Sequence, residues 1–244
     1  MNRYQEPNRY QAPAAVRPPR VPRHPGGTGI VGGKLADGET YDAVALSQDD
    51  LSGQYAEGVT FSGVQLTRVD LGRTQLADLH LIDVQCTSCD LANAQWSKSQ
   101  WERIACHECR AVGLLANEAT LRDVLFRDCD LRLAQFRFAR CKAVRFEGCT
   151  LREADFHGAD LSGVVFARCD LRDADLSGAT LAGADLRGSQ IGGARFGIQE
   201  VQGLIVDPLQ LLEVVTFLGI TVLPGAAGEA PPSGEEARGR RSAP

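Results

Sequence analysis

Two CxxC pairs, Cys86-Thr87-Ser88-Cys89 and Cys106-His107-Glu108-Cys109, lie sixteen residues apart, a spacing at which four thiolates can close around one zinc ion. A second set is acidic: Asp50, Asp70, Asp90, Asp130 and Asp170 recur at multiples of twenty residues, with Asp173 beside the last. Side chains repeating at that interval form one carboxylate stripe, able to stand in for DNA phosphates against a cationic, DNA-binding surface. The same short acids can equally accept hydrogen bonds from their own turns. A third set is basic, with Arg122, Arg127, Arg132, Arg137 and Lys142 five residues apart. The four histidines, His24, His80, His107 and His157, belong to no catalytic motif, and neither a glycine-rich phosphate loop nor a nucleophile elbow occurs. Catalysis is not expected, and no cofactor is implied.

What must position these residues is a period. Every fifth residue from Leu46 to Val206 gives 33 positions, all apolar, 15 of them Leu and seven Phe, in a chain that is 43% apolar. Neither a helix nor an ordinary strand has period five. A second, smaller set stands two residues before these centres, as at Val59, Val64, Ile104, Ala154 and Ala184. A five-residue unit is too short to be a supersecondary element, so it must be one side of a coil that stacks on its neighbours. A four-sided coil predicts a twenty-residue echo, and Cys89, Cys109, Cys129, Cys149 and Cys169 supply it as one inward ladder. The Asp stripe lies on that same side, mixed with Arg110, Arg132, Arg152 and Arg172. The five basic residues wrap one coil as a belt that pairs with Asp123, Asp128 and Asp130. Cys86, Cys89, Cys106 and Cys109 all fall in register as inward positions, so the expectation is four buried small hydrophobes and no metal, with zinc as the alternative.

The chain of 244 residues carries a formal charge of −5, unevenly placed. Residues 1–34 hold six basic groups, one acid and six of the 11 prolines, which reads as a disordered basic tail whose Arg17, Arg20 and Arg23 could meet an anionic partner. Residues 35–206 are the repeat body, with 17 basic and 25 acidic groups. Residues 225–244 read as a second disordered tail. No apolar run is long enough to span a membrane and no apolar signal segment follows Met1, so a cytoplasmic protein with reduced cysteines is expected, with no membrane partner.

Between body and tail, residues 207–224 predict a cap. Asp207 can N-cap a helix with Pro208 in its first position, and Gly219 ends it. That helix is apolar nearly all round, with Gln210 and Glu213 as a narrow polar stripe. One side can close the open end of the stack, and the remainder predicts a twofold contact through Leu209, Leu211, Leu212, Val215, Phe217 and Leu218. Ile220-Thr221-Val222-Leu223 reads as a short strand at the same contact.

The units Gly158-Ala159-Asp160-Leu161-Ser162, Asp173-Ala174-Asp175-Leu176-Ser177 and Gly183-Ala184-Asp185-Leu186-Arg187 resemble the pentapeptide-repeat family, over about 160 residues. The resemblance implies an all-β solenoid, a right-handed quadrilateral β-helix of about eight coils, here with a C-terminal capping and dimerising α-helix. The segment from Asp207 to Val222 resembles the dimerising tail of the family branch that protects type II topoisomerases from quinolones and other gyrase poisons. That implies a homodimeric, non-catalytic DNA mimic that binds DNA gyrase, with Asp50, Asp70, Asp90, Asp130, Asp170 and Asp173 as the partner-binding side and no direct nucleic-acid binding by the body. The alternative is an interaction scaffold with another partner. A continuous negative side favours mimicry, and a patchwork of charges favours a scaffold.

Overall fold

The computed structural model describes residues 13–23, 25–27, 30, 33–197, 199–217 and 219–220. Its strands are β1 (Thr40–Asp42), β2 (Ala45–Ser47), β3 (Tyr55–Glu57), β4 (Thr60–Ser62), β5 (Gln65–Thr67), β6 (Gln75–Ala77), β7 (His80–Thr87), β8 (Gln100–His107), β9 (Thr120–Arg127), β10 (Arg140–Glu147) and β11 (Val165–Ala167), followed by one helix, α1 (Pro208–Phe217). Every pairing is parallel and offset by twenty residues, from Thr40↔Thr60 to Arg145↔Val165. The period of five therefore closes a four-sided coil, as the Cys and Asp spacings require.

Continuous strand pairing runs β1-β4-β7-β8-β9-β10-β11, which is about six turns, where the repeat length predicts about eight coils. The difference lies in the last coils, which keep the twenty-residue step only through single bridges such as Val165↔Asp185 and Asp185↔Ile205. Val84, Ile104, Val124 and Val144 are β-branched and sit inside the four eight-residue strands. Further along the same column the chain closes tight turns, Val164 N–H donating to Leu161 O (3.0 Å) and Ala184 N–H to Leu181 O (2.9 Å).

The corners are uniform. Twenty non-glycine residues have φ between 50° and 63°, each two places after an inward centre, and Gly163 and Gly183 take the same place further on. An L-residue in this region costs about 1–2 kcal/mol. The backbone ladder holds it there: Leu51 N–H donates to Asp70 O (2.8 Å) and Leu71 N–H to Asp90 O (2.7 Å), coil after coil.

Inside, the centres stack on their equivalents. Phe126, Phe146 and Phe166 lie 5.1 and 5.0 Å apart with their ring planes nearly parallel, and Phe136 and Phe156 form a second pile at 5.2 Å. The two piles meet edge to face, a favourable arrangement of ring quadrupoles. The indoles of Trp96 and Trp101 are also buried, and the nearby centres Cys86, Cys106, Ala111 and Ala116 are small. Each indole N–H finds a buried hydroxyl: Trp96 donates to Thr74 (2.9 Å) and Trp101 to Ser99 (2.7 Å).

The N-terminal segment departs from its reading as a disordered tail. Residues 13–23 lie along one corner of the solenoid, where Arg17 contacts Asp123 and Arg20 contacts Asp83. Prolines narrow the unfolded ensemble of such a segment, which lowers the entropy lost on docking.

Candidate interaction surfaces

Asp50, Asp70 and Asp90 lie in one column, joined by bridges that pass on through Arg110, Asp130, Thr150 and Asp170. The repeat brings five of the six predicted acids into line, with Asp173 at the adjoining corner. Each column acid also serves its own turn. Asp70 accepts from Gly72 N–H (2.8 Å), Asp90 from Ala92 N–H (2.8 Å) and Asp50 from Ser52 N–H (2.9 Å).

Much of the column is internally neutralised. Arg110 pairs with Asp90 (2.6 Å), Arg132 with Asp130 (2.7 Å), Arg172 with Asp170 (2.5 Å) and Arg152 with Asp173 (3.8 Å). The guanidinium of Arg132 holds Asp130 below the usual carboxylate range, and Arg172 does the same to Asp170. A shallow cleft of about 740 Å³ opens here, lined by Asp128, Asp130, Arg132, Thr150, Arg152 and Asp170 among others. This side is a patchwork of both signs.

One end of the rod carries acids without intervening bases, with Lys34 as the base next to it. Residues 35–67 carry six carboxylates, Asp37, Glu39, Asp42, Asp49, Asp50 and Glu57, and no Lys or Arg, whereas residues 68–206 carry 19 acids and 17 bases. Among the described residues none of the six is in an ion pair. Total charge in the sequence hid this segregation, which a count along the body would have shown.

The basic belt pairs as expected at Arg132 and Asp130 (2.7 Å) and differently elsewhere. Arg127 meets Glu147 (2.8 Å), Arg137 meets Asp155 (3.0 Å), and Asp123 is taken by Arg17 (2.5 Å) rather than by a belt residue.

All eight cysteines are buried free thiols. Cys86 pairs in register with Cys106, while Cys89 and Cys109 lie in the next inward column, where their thiols donate to the carbonyls of Thr87 (3.5 Å) and His107 (3.4 Å). Burial, with the nearby Asp160 carboxylate adding to it, pushes the Cys141 thiol up to about 12. Among the described residues no group of three or more His, Cys, Asp or Glu is arranged to hold a metal ion. One Ser-His-Asp cluster escaped the sequence reading: Ser177 Oγ lies 3.0 Å from His157 Nδ1 and 2.6 Å from Asp175 Oδ1. Serine sits between the other two, so the carboxylate takes the hydroxyl proton and does not orient the imidazole, as a nucleophile-activating triad requires.

At the far end, Asp207 caps α1 by accepting from the N–H groups of Leu209 (2.9 Å) and Gln210 (3.0 Å), while Gln210 Oε1 accepts from Asp207 N–H (2.9 Å). That reciprocal pair is a capping box. The Gln210 side chain, half of the narrow polar stripe, points inward and donates to Leu186 O and Ser189 O, both at 2.6 Å. Val214 is buried beside it, and Val215 is half-buried. Leu209, Leu211 and Leu212 are 81%, 51% and 56% exposed, an outward apolar face. The Phe217 side chain, Leu218 and the expected strand at 221–223 lie outside the described residues. No helix of the described chain is long and apolar enough to cross a membrane.

Residues 80–156 and 119–196 match the family described as "Pentapeptide repeat region". Among solved structures, trypsin-treated QnrB1, a plasmid-mediated fluoroquinolone resistance protein, is similar at 21% identity, covering 76% of this chain and 100% of its own, with a TM-score of 0.39. HetL, a pentapeptide repeat protein involved in heterocyst differentiation regulation in Nostoc sp. strain PCC 7120, is similar at 23% identity over 66% of this chain and 84% of its own, with a TM-score of 0.38. Rfr23 from Cyanothece 51142 is similar at 16% identity over 72% and 93%, with a TM-score of 0.25. No curated protein matches the chain.

Proposed function

We propose, from the premise that residues 80–196 match a pentapeptide repeat region, that the chain is a non-catalytic protein-binding rod that offers an acidic end to a cationic partner, with DNA gyrase as the partner to test. The observation that carries this reading is charge segregation: six carboxylates and no base in residues 35–67. Such an end attracts a surface evolved to hold phosphates, and the attraction weakens with salt. The docking acids are then Asp42, Asp49, Asp50 and Glu57 rather than the whole Asp column. Asp90, Asp130, Asp170 and Asp173 already face arginines of their own chain.

A second reading, a scaffold with another partner, is favoured by the mixed-charge cleft between Asp130 and Arg152. In both readings the rod is a homodimer through the exposed leucines of α1, whose apolar face is otherwise left to water. A reducing, cytoplasmic setting accords with eight free thiols.

Supercoiling by purified gyrase, with and without a quinolone, separates the two. Inhibition or drug rescue at micromolar protein, weakened at least tenfold by Asp42→Asn/Asp49→Asn/Asp50→Asn but not by Asp130→Asn/Asp170→Asn, supports docking through the acidic end. No effect in either arm removes gyrase and leaves the scaffold.

A further inference from the structure

The corner that residues 13–23 follow carries charge where the segment meets it. Its column reads Ala43, Gly63, Asp83, Arg103, Asp123, Ala143, Gly163 and Gly183: small at both ends, charged in the middle. Strand pairing in β7 to β9 skips Asp83, Arg103 and Asp123, where the backbone turns the corner.

The docked segment runs against the order of the coils. Pro13 lies near Arg145, Val165 and Asp185, whereas Val16, Pro18 and Pro19 lie over a cleft lined by Ile104, Ala105 and Leu125. Gln65 Nε2 donates to Pro22 O (3.2 Å), and Pro22 rests on Gly63, where a Cβ would come within 3.3 Å of the proline ring.

Two backbone donors fix the register. Arg17 N–H donates to Asp123 Oδ1 (3.2 Å), and Arg20 N–H donates to Asp83 Oδ1 (2.8 Å). Three residues of polyproline II chain advance about 9.3 Å, and two stacked coils advance about 9.6 Å, so one turn of the segment spans the forty residues between Asp83 and Asp123. Pro18 and Pro19 fill the positions between and carry no N–H to leave unpaired. The Arg17 guanidinium adds two further bonds to Asp123 Oδ2, from Nε (2.9 Å) and a terminal nitrogen (2.5 Å), on a carboxylate side chain only 4% exposed. Arg103 steadies the other acid through Asp83 (2.6 and 2.7 Å).

We propose that this corner is a binding groove for an extended, proline-rich chain with an arginine for Asp123 and, three residues on, a backbone N–H for Asp83, and that residues 13–23 of the same chain occupy it in cis. The Asp83-Arg103-Asp123 column selects the spacing, the small residues at either end admit proline, and a foreign segment with the Arg-Pro-Pro-Arg pattern competes with the tether. A tethered segment acts at an effective concentration near millimolar, so it masks the groove against weaker ligands.

The test uses the full chain and a fluorescein-labelled peptide with the sequence of residues 13–23, read by anisotropy. Arg17 is 59% exposed and outside the coils, so Arg17→Glu leaves the body folded while repelling its own segment from Asp123. The expected result is peptide binding at least tenfold tighter to Arg17→Glu than to the unaltered chain, and a return to the weak level in Arg17→Glu/Asp123→Asn. Trypsin should cut Arg20–Val21 at least tenfold faster in Arg17→Glu, with the unaltered chain protected equally at all protein concentrations. Equal affinities in the three proteins, no binding to Arg17→Glu at millimolar peptide, or equal cleavage rates would overturn the proposal. Protection that grows with protein concentration would overturn occupancy in cis and give the groove to a second copy's segment.

Discussion

The side-chain amide of Gln210 lies 2.6 Å from the carbonyl of Leu186, so the helix that closes the solenoid is fastened by a glutamine while its leucines face away. A second bond from the same nitrogen reaches Ser189 O, and Gln210 is 5% exposed. Replacing it by Ala leaves two buried carbonyls and the Asp207 N–H without this partner, at a cost of about 2–3 kcal/mol. In a one-dimensional stack that loss stays local. Gln210→Ala should therefore speed amide exchange in α1 and residues 185–205 by ten- to a hundredfold while leaving β7 to β10 unchanged, as followed by hydrogen exchange.

The outward leucines carry the dimer prediction. Light scattering at micromolar concentration should give twice the 26.2 kDa chain mass, and Leu209→Asp/Leu212→Asp should give the single mass with an unchanged far-ultraviolet spectrum. A dimer that survives both aspartates places the interface elsewhere.

Asp175 ties stability to pH. Burial pushes its carboxyl up, but Arg195 at 2.7 Å and the hydroxyl and amide of Ser177 outweigh that and bring it to about 2. A carboxylate lowered by folding stabilises the protein above its unfolded value near 3.8, and the contribution fades as pH falls through about 2. Arg195 is two-thirds exposed, so screening holds the contribution to about 1–2 kcal/mol. Urea melts of Asp175→Asn should show that deficit at pH 7, narrowing below pH 4 and closing near pH 2. A gap that stays constant with pH would mean that the charge on Asp175 is not what stabilises this coil.

Leu133 combines a φ of 60° with a side chain 51% exposed, so it bears corner strain with little burial in return. Asparagine tolerates the left-handed region better. Leu133→Asn should raise the melting temperature by about 1–4 °C, which is roughly 0.5–1 kcal/mol for a domain of this size. A lowered melting temperature would show that the leucine packs on something more than water.

The period of five, the inward cysteines and the capping Asp207 were legible because each follows from neighbours in sequence. Arg17 was not, since its partner Asp123 is 106 residues away and composition alone gives a proline-rich basic stretch no reason to order. The role of Gln210 was hidden for a related cause: its partners, the carbonyls of Leu186 and Ser189 at the mouth of the last coil, lie 24 and 21 residues away. The Asp column was readable as a column, but its neutralisation depended on which way Arg110, Arg132 and Arg172 turn.

The four-cornered coil also sets the grammar of insertions and deletions. Five added residues obey every local rule of the repeat and leave the core intact, yet they rotate everything beyond them by a quarter turn. Placed between Asp83 and Asp123, such an insertion would carry one acid round to the next corner and strip the docked segment of its second hold. Outside that stretch only steps of twenty are silent, so the length of this rod can drift in whole coils while its faces stay in phase.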